Sequence, residues 1–351
     1  MKRILIGLAI VLILLVISGF SLIRLLNFFP SPQMPVKVIC DGKKPLILKK
    51  GTKLRILSWN IQYGGSRKYH FFYDGGKAVY PAKADVEMTL KQISAVIKKV
   101  NPDIILWQEV DRNSTRTSLI DEAKVLLKEH PQFKCWASTP YHKSAYIPSP
   151  SHQHLKRVQM DLTIFSKYKI TRATRHALPM LKESFLRQAF NLKRAILEVE
   201  IPVKGGKPLI LLDTHLSAFS YGDGTLDKQV AMLKTLAEKA EAKGYWLLAG
   251  DLNLLPPGDD PSRLGSDSKY YNAKHNPIDL LYKSLKPALS IETYNKNKEL
   301  YYSYIQFGKK KTDRWIDHTF VGKKVTVTKY QVLQKDNNIS DHLPIVIEIT
   351  F

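Results

Sequence analysis

Eight short apolar runs, spread through residues 54–350, constrain this chain more than any other feature. They are LRILSW (54–59), IILWQ (104–108), LTIF (162–165), AILEVEI (195–201), LILLDT (209–214), WLLAG (246–250), HTFV (318–321) and LPIVIEIT (343–350). Runs of this length, bounded by polar segments, predict buried or half-buried strands. Two segments between them have helical spacing instead. In Asp85–Val100 the apolar positions are Val86, Leu90, Ile93, Val96, Ile97 and Val100, and Pro102 stops the pattern. Across 227–243, Leu226, Val230, Leu233, Leu236 and Ala240 share one face. Strands and helices mixed in one continuous pattern predict a layered α/β domain of about 300 residues. Long polar loops rich in Gly, Pro and aromatic residues are expected at 63–84, 138–157 and 256–277. Such loops on a strand scaffold usually carry binding surfaces.

The first 52 residues break this pattern. Residues 4–23, ILIGLAIVLILLVISGFSLI, are uncharged and mostly apolar, long enough to cross a bilayer. A cleaved signal peptide has a shorter apolar core and a small-residue cleavage site. No clear site follows Ser21, so an uncleaved anchor is favoured. Lys2 and Arg3 before the span argue for an inside N-terminus and an extracytoplasmic domain, with Arg24 weighing against. The chain therefore divides into an anchor or uncleaved signal (1–29), a linker (30–52) and one large domain (53–351). FFPSPQMP opens the linker as a stiff spacer, and a basic stretch with one short strand at 46–48 completes it.

The formal net charge is +23, of which Lys2, Arg3 and Arg24 supply three. A surface this basic favours anionic partners: nucleic acid, phosphorylated small molecules or acidic lipid headgroups. A solvated lysine-rich surface without a partner is the plain alternative. Cys40 and Cys135 are the two cysteines, which excludes a disulfide framework and a thiolate metal cluster. One bridge between them stays open.

Chemistry collects at the strand ends. LRILSW runs into Asn60, IILWQ into Glu109, LILLDT into His215, and WLLAG into Asp251 and Asn253. Asp317 precedes HTFV, and Asp341 and His342 precede the terminal strand. Each alone reads as a turn former, a helix cap or a solvated side chain. Together they form a coherent kit. Glu109 and an amide oxygen from Asn60 are hard ligands suited to Mg²⁺. A metal on a phosphate oxygen stabilises the charge that develops during attack, and two histidines with spare carboxylates supply proton transfer. That is equipment for cleaving a phosphoester with water.

The segments RILSWNIQYGG, PDIILWQEVD, LLDTHLSAFS, LLAGDLNLLP, TDRWIDHTFV and ISDHLPIVIEI resemble, in order, the motifs of the endonuclease/exonuclease/phosphatase superfamily. The resemblance runs from Lys53 to Phe351, about 85% of the chain. It implies a four-layer α/β sandwich, two mixed sheets packed face to face with helices outside, here preceded by one N-terminal transmembrane helix. It also implies one Mg²⁺ or Mn²⁺ ion held by Glu109 with Asn60 and Asp341, a second ion being left open because Gln62 stands where several repair nucleases carry an acid. Asp251 would position the attacking water, Asn253 would hold a phosphate oxygen and His215 would hydrogen-bond the scissile phosphate. His342, oriented by Asp317, would act as general base or as transition-state stabiliser.

Three departures narrow the substrate. DTHL differs from the abasic-site endonucleases, WNIQ lacks their acid, and Leu254-Leu255 replaces the aromatic-Arg pair usual in inositol 5-phosphatases. The THL form is shared with sphingomyelinase-like members, and a span at residues 4–23 would hold the site near lipid headgroups. A phospholipid or small phosphodiester is therefore the expected substrate. An anchored or exported nuclease is the alternative, and a non-catalytic surface adhesin or scaffold is the remote one. Arg187, Lys193 and Arg194 are further candidates to meet phosphate, and His152 and His154 read as polar loop residues.

Overall fold

The computed structural model of the chain describes residues 2–40, 45–218, 222–272, 274–336 and 338–351. Residues 41–44 of the expected linker, 219 and 220 at the end of LLDTHLSAFS, and 273 in the expected third loop lie outside them. Helix α1 (Lys2–Leu26) leads into β1 (Gln33–Pro35), β2 (Val38–Cys40), β3 (Leu48–Lys49) and β4 (Leu54–Asn60). Helix α2 (Lys83–Val100) is followed by β5 (Ile104–Asp111), α3 (Glu122–Glu129), β6 (Cys135–Ile147) and β7 (Lys156–Ser166). Next come β8 (Arg172–Ala177), α4 (Phe185–Phe190), β9 (Ala195–Ile201), β10 (Val203–Lys204) and β11 (Leu209–His215). The remainder is α5 (Thr225–Lys243), β12 (Tyr245–Asp251), α6 (Asp279–Ser284), β13 (Lys286–Pro287), α7 (Ile291–Lys296), β14 (Asp317–Val321), β15 (Thr326–Val332) and β16 (Ile345–Thr350).

Among the described residues the strands build two seven-stranded sheets, ordered β1-β8-β9-β11-β12-β14-β13 and β15-β16-β4-β5-β7-β6-β2. Both are mixed: β11–β12 and β4–β5 run parallel, while β9–β11, β12–β14, β4–β16 and β5–β7 run antiparallel. Their inner faces share one core, with Leu54, Ile56, Leu106 and Ile347 from one sheet meeting Leu197, Leu211, Leu247 and Val321 from the other. The alternate residues face outward. Leu57, Ile105 and Trp107 pack on Val86, Leu90, Ile93 and Ile97 of α2, and Ile210, Leu212 and Leu248 pack on Val230 and Leu233 of α5. The strands are apolar without alternation because both faces are covered. The result is the expected four-layer α/β sandwich.

The 138–157 segment, expected as a loop, is instead mostly the β6–β7 hairpin, whose turn spans residues 148–155. Its polar side chains hid the strand. Ser138 Oγ bonds Asp161 at 2.7 Å and lies 2.8 Å from Thr163 Oγ1, so a hydroxyl occupies a position that sequence patterning reads as solvent. The 30–52 stretch supplies edge strands to both sheets: β1 pairs with β8 and β2 with β6, while β3 pairs with β10. Pro35 is tolerated in β1 because that strand is an edge.

Cys40 and Cys135 sit opposite each other on β2 and β6 and are joined by a disulfide. The bridge closes a loop with a sequence separation of 95 residues. Loop-closure entropy on that scale makes its reduction cost about 2–5 kcal/mol. A thermal melt of the full chain with and without reductant is expected to show a drop of several degrees. An unchanged midpoint would mean that the other β2 contacts already hold the edge.

Helix α1 has no buried residue, most of its apolar side chains are exposed, and its mean hydropathy is 2.9. It is long and apolar enough to cross a membrane or to be a signal sequence.

Candidate active site

Side chains alternate between the two faces of a strand, and that period carries the polar residues into the cleft. Asn60 continues the inward row of Leu54 and Ile56, and Asp251 continues that of Leu247 and Ala249. Asp213 and His215 follow Leu209 and Leu211, and Asp317 shares a row with Val321. Register then sets these rows side by side: His215 lies opposite Asp251 on β11–β12, and Asp251 opposite Asp317 on β12–β14.

Glu109 has the wrong parity. On β5, Ile105 and Trp107 pack outward against α2, so Glu109 should follow them. A bulge between Trp107 and Val110 resets the count: Val110 takes the outward place and Glu109 adopts φ 59°. A left-handed conformation in a non-glycine residue costs about 1–3 kcal/mol. It is retained here where it turns a carboxylate into the cleft, as bulges beside active sites do.

The two sheets touch through these side chains. Asn60 Nδ2 donates to Glu109 Oε1 at 3.0 Å and to Asp251 Oδ2 at 3.1 Å, while its Oδ1 accepts from the Gln62 N–H at 3.0 Å. Asp251 Oδ2 also lies 3.1 Å from His215 Nε2 and 3.4 Å from His342 Nε2, and its Oδ1 accepts from the Asn253 N–H at 2.9 Å. His342 Nδ1 lies 2.8 Å from Asp317 Oδ2, which also accepts from Ser303 Oγ at 2.6 Å. Tyr141 OH lies 3.2 Å from His215 Nδ1. Deeper between the sheets, Gln108 Nε2 donates to Asp213 Oδ1 at 2.6 Å, and burial raises that carboxyl far above its ordinary range.

Both ring nitrogens of His215 lie against protein groups, Nε2 3.1 Å from Asp251 and Nδ1 3.2 Å from the Tyr141 hydroxyl. The Asn60 amide nitrogen bridges two acids, and its oxygen accepts from the Gln62 N–H. Gln62, in turn, is tied to the backbone N–H of Asp341 at 3.3 Å and to Tyr73 at 3.0 Å.

Charge in the cluster follows from burial and neighbours. Burial opposes ionisation of Asp251, but His342 and His215 outweigh it and hold its carboxyl below the ordinary range. Burial would lower His342, yet Asp317, Asp251 and Asp341 hold it well above the usual imidazole value. Burial raises Asp317, against the pull of His342. With acids on several sides, the imidazole keeps the proton. Burial lowers His215, with Arg194 acting in the same sense and Asp251 and Glu109 against it.

Glu109, His215, Asp251, Asn253, Asp341 and His342 all line one cavity of about 870 Å³, while Asn60 and Asp317 stand behind it. Arg187 and Arg194 also reach this cavity. Among the described residues Arg194 Nη1 is buried without a hydrogen-bond partner, its guanidinium 5.3 Å from the Tyr141 ring centre. Lys193 does not reach the cavity: it is buried and its ammonium donates to the carbonyls of Gln188, Ala189 and Asn191 at the end of α4. His152 and His154 are bound apart, to the Lys77 carbonyl and the Tyr146 hydroxyl.

Residues 57–342 match the model of the Endonuclease/Exonuclease/phosphatase family. The chain belongs to that family. Its members are metal-dependent phosphoesterases and nucleases. No curated protein matches the chain in sequence. Among solved structures it is similar to an endonuclease/exonuclease/phosphatase from Beutenbergia cavernae at 18% identity, covering 85% of this chain and 72% of that one with a TM-score of 0.61. It is also similar to the human Nocturnin catalytic domain with bound sulfate, at 17% identity, 90% and 97% coverage and a TM-score of 0.56. A third likeness is D. rerio TDP2 complexed with single strand DNA product, at 15% identity, 86% and 100% coverage and a TM-score of 0.54. At these identities the likeness is one of fold.

The donor set of this family member fits a divalent cation. Glu109 and Asp341 both line the cavity, and burial with the repulsion of Glu109 and Asp251 pushes Asp341 up to about 7 against the pull of His342. A cation among these acids would relieve that repulsion. Asp251, Asp317 and His342 also present ligand atoms within 4.8 Å of one another. That group suits proton transfer better than metal binding, because both ring nitrogens of the charged His342 face carboxylates.

Proposed function

We propose that the chain is a membrane-anchored, Mg²⁺-dependent phosphodiesterase acting on a phospholipid headgroup or a similar small phosphodiester. The observation that carries this reading is Arg194. Arg194, one of whose nitrogens has no hydrogen-bond partner among the described residues, lines a cavity that also holds the Asp251–His342 pair and has an apolar wall from Ile147, Leu155, Met160, Leu181 and Leu186. An anionic phosphate satisfies the first, and the apolar flank of a lipid satisfies the last.

Glu109 and Asp341 would hold the ion, with Asn60 orienting Glu109. When bound, the ion supplies charge stabilisation at a phosphate oxygen. Asp251, ionised, accepts the proton of the attacking water. His215, tied to Tyr141, positions Asp251. His342, charged and oriented by Asp317, donates toward the oxygen on which charge develops. Asn253 and Arg194 hold the remaining phosphate oxygens.

The anchor reading takes α1 as an uncleaved span through residues 4–23, with the domain extracytoplasmic. Lys2 and Arg3 before the span support that orientation. So does the Cys40–Cys135 bridge, since disulfides persist in oxidising compartments.

The test uses the full chain in detergent with Mg²⁺, against vesicles containing sphingomyelin and phosphatidylinositol lipids and, in parallel, single-stranded and plasmid DNA. Headgroup release that chelation by EDTA abolishes is the expected result. Nucleolysis with intact lipid would establish the second reading, an anchored nuclease. That reading draws support from the net charge of +23 and from the TDP2 relative bound to single-stranded DNA product. Arg194→Ala is expected to lower kcat/KM by about 10- to 100-fold, the worth of a hydrogen bond to a charged group. Steady-state kinetics within twofold of the parent would remove Arg194 from the phosphate site.

A further inference from the structure

The C-terminal end of α1 packs beside the mouth of the catalytic cavity. The Phe20 ring of α1 stacks on Phe185 at the start of α4, with centroids 4.5 Å apart, and Phe29 lies 6.2 Å from the same ring. The Phe28 N–H bonds the Lys143 carbonyl of β6 at 3.1 Å, and the Arg175 guanidinium lies over the Phe28 ring at 5.4 Å. The exit of the apolar helix is thus docked on the domain through several independent contacts.

Helix α4 and the segment before it are unusual for a surface element. Met180 ahead of the helix and Phe185 and Leu186 on it are 42%, 36% and 57% exposed, an apolar cluster that a water-facing turn does not need. Exposed cations flank it: Arg24 on α1, Lys143 on β6, and Lys182 and Arg187 on either side of Phe185. The same segment is cavity wall, since Leu181, Leu186, Arg187 and Phe190 line the catalytic space. Its far end is pinned by Lys193, the neighbour of Arg194, through the Ala189 and Asn191 carbonyls at 3.0 and 2.7 Å.

Depth follows from helix geometry. Phe20 lies four residues before Arg24, about 6 Å along the axis at 1.5 Å per residue. Phe185, at the level of Phe20, would sit that far below the plane marked by Arg24. Interfacial segments bury their apolar side chains about 5–10 Å into a leaflet, with basic residues at the headgroups. We propose that α4 is an interfacial wedge: Met180, Phe185 and Leu186 enter the leaflet that α1 leaves, and they set the catalytic cavity at headgroup level of an anionic bilayer surface. This deepens the lipid reading above and rests on α1 being retained as a span.

The experiment uses the full chain in nanodiscs of zwitterionic and anionic phospholipid. Both native cysteines are in the disulfide, so Leu186→Cys accepts a single spin label, and Met88→Cys on α2 serves as comparison. Power saturation is expected to show position 186 more accessible to oxygen than to a water-soluble nickel complex, and position 88 the reverse. Nickel accessibility at 186 equal to that at 88 overturns the wedge. Intact mass of the same sample reports on α1 separately: loss of residues 2–26 would sink the anchor reading and the wedge with it. Phe185→Asp is expected to lower turnover of vesicle lipid about tenfold, the effect of withdrawing a buried aromatic side chain. Hydrolysis of soluble bis(p-nitrophenyl) phosphate should stay within twofold. Equal losses on both substrates overturn the wedge, whereas no hydrolysis of either by the parent chain overturns the phosphodiesterase reading while the spin-label result still stands.

Discussion

Replacing His342 with alanine is expected to lower phosphodiester hydrolysis by roughly 10³-fold, within the range that a positioned proton donor or charge stabiliser contributes. The magnitude follows from how completely the ring is held. Its Nδ1 is 2.8 Å from Asp317 and its Nε2 is 3.4 Å from Asp251, and it is 4% exposed. The Trp59 indole N–H donates to its carbonyl at 2.9 Å, and Tyr304 stands edge-on to the imidazole at 5.1 Å. Every contact fixes orientation, and three acids keep the ring charged. A charged imidazole donates and cannot accept, which is the protonation state that the proposed stabilising role requires. Asp317→Asn tests that role. It preserves size but removes a charge that holds His342 up, and a loss of about 100-fold is expected from the misdirected ring. His342→Gln, which keeps a donor in place, should retain more of its melting temperature than His342→Ala, which strands Asp251 and Asp317 without their cation. Activity of His342→Ala within tenfold of the parent, measured on soluble bis(p-nitrophenyl) phosphate, would displace His342 from the chemistry.

Much of this site could be read before any coordinate, for a physical reason. Apolar runs such as LRILSW and LILLDT are strands covered on both faces, and a polar residue that ends such a run on the inward row must lie between the sheets. Asn60, His215, Asp251 and Asp317 all do. Glu109 could not be placed that way, because its parity points outward and the resetting bulge leaves no mark in IILWQEV. Asp251 and His342 could not be paired from strand pattern or register, since their 3.4 Å contact crosses from one sheet to the other.

What stayed hidden was mostly support. Tyr141 and Ser138 sit on β6, a strand whose polar residues are satisfied by neighbours and so read as loop. Arg194 was one cation among three in a basic cluster, and only burial without a partner sets it apart from Lys193, which caps α4. The short strands β1 and β2 are three residues each. They are too short for any period to show, and their pairing comes from the edges they meet.

Gly250→Ala is expected to damage both stability and activity severely. Gly250 pairs with Thr214 in the parallel β11–β12 register, one position before the His215–Asp251 pair. A Cβ on Gly250 would meet the Thr214 carbonyl oxygen at 1.9 Å, and the residue's φ of 149° lies where side chains are rarely accepted. The carbonyl is backbone and cannot swing aside. Thr214 is itself fixed, its Oγ1 donating to the Ala195 carbonyl of β9 at 3.0 Å. Alanine must therefore pry β12 from β11. Overpacking and backbone strain together place the loss at about 3–5 kcal/mol. The displacement falls on the strand ends that hold His215 Nε2 and Asp251 Oδ2 at 3.1 Å. A shift of about 1 Å between reacting groups costs roughly 100-fold in rate, so activity should fall further than the lost stability explains. Gly258→Ala is the matched comparison: φ is 73° but nothing lies within 4 Å of the added carbon, and about 1 kcal/mol with little change in kcat is expected. Equal melting temperatures for the two variants would mean that the glycine of the GDLN segment serves turn geometry alone. A lower midpoint and a lost kcat for Gly250→Ala would show that it is the missing side chain that lets β11 and β12 close at the candidate site.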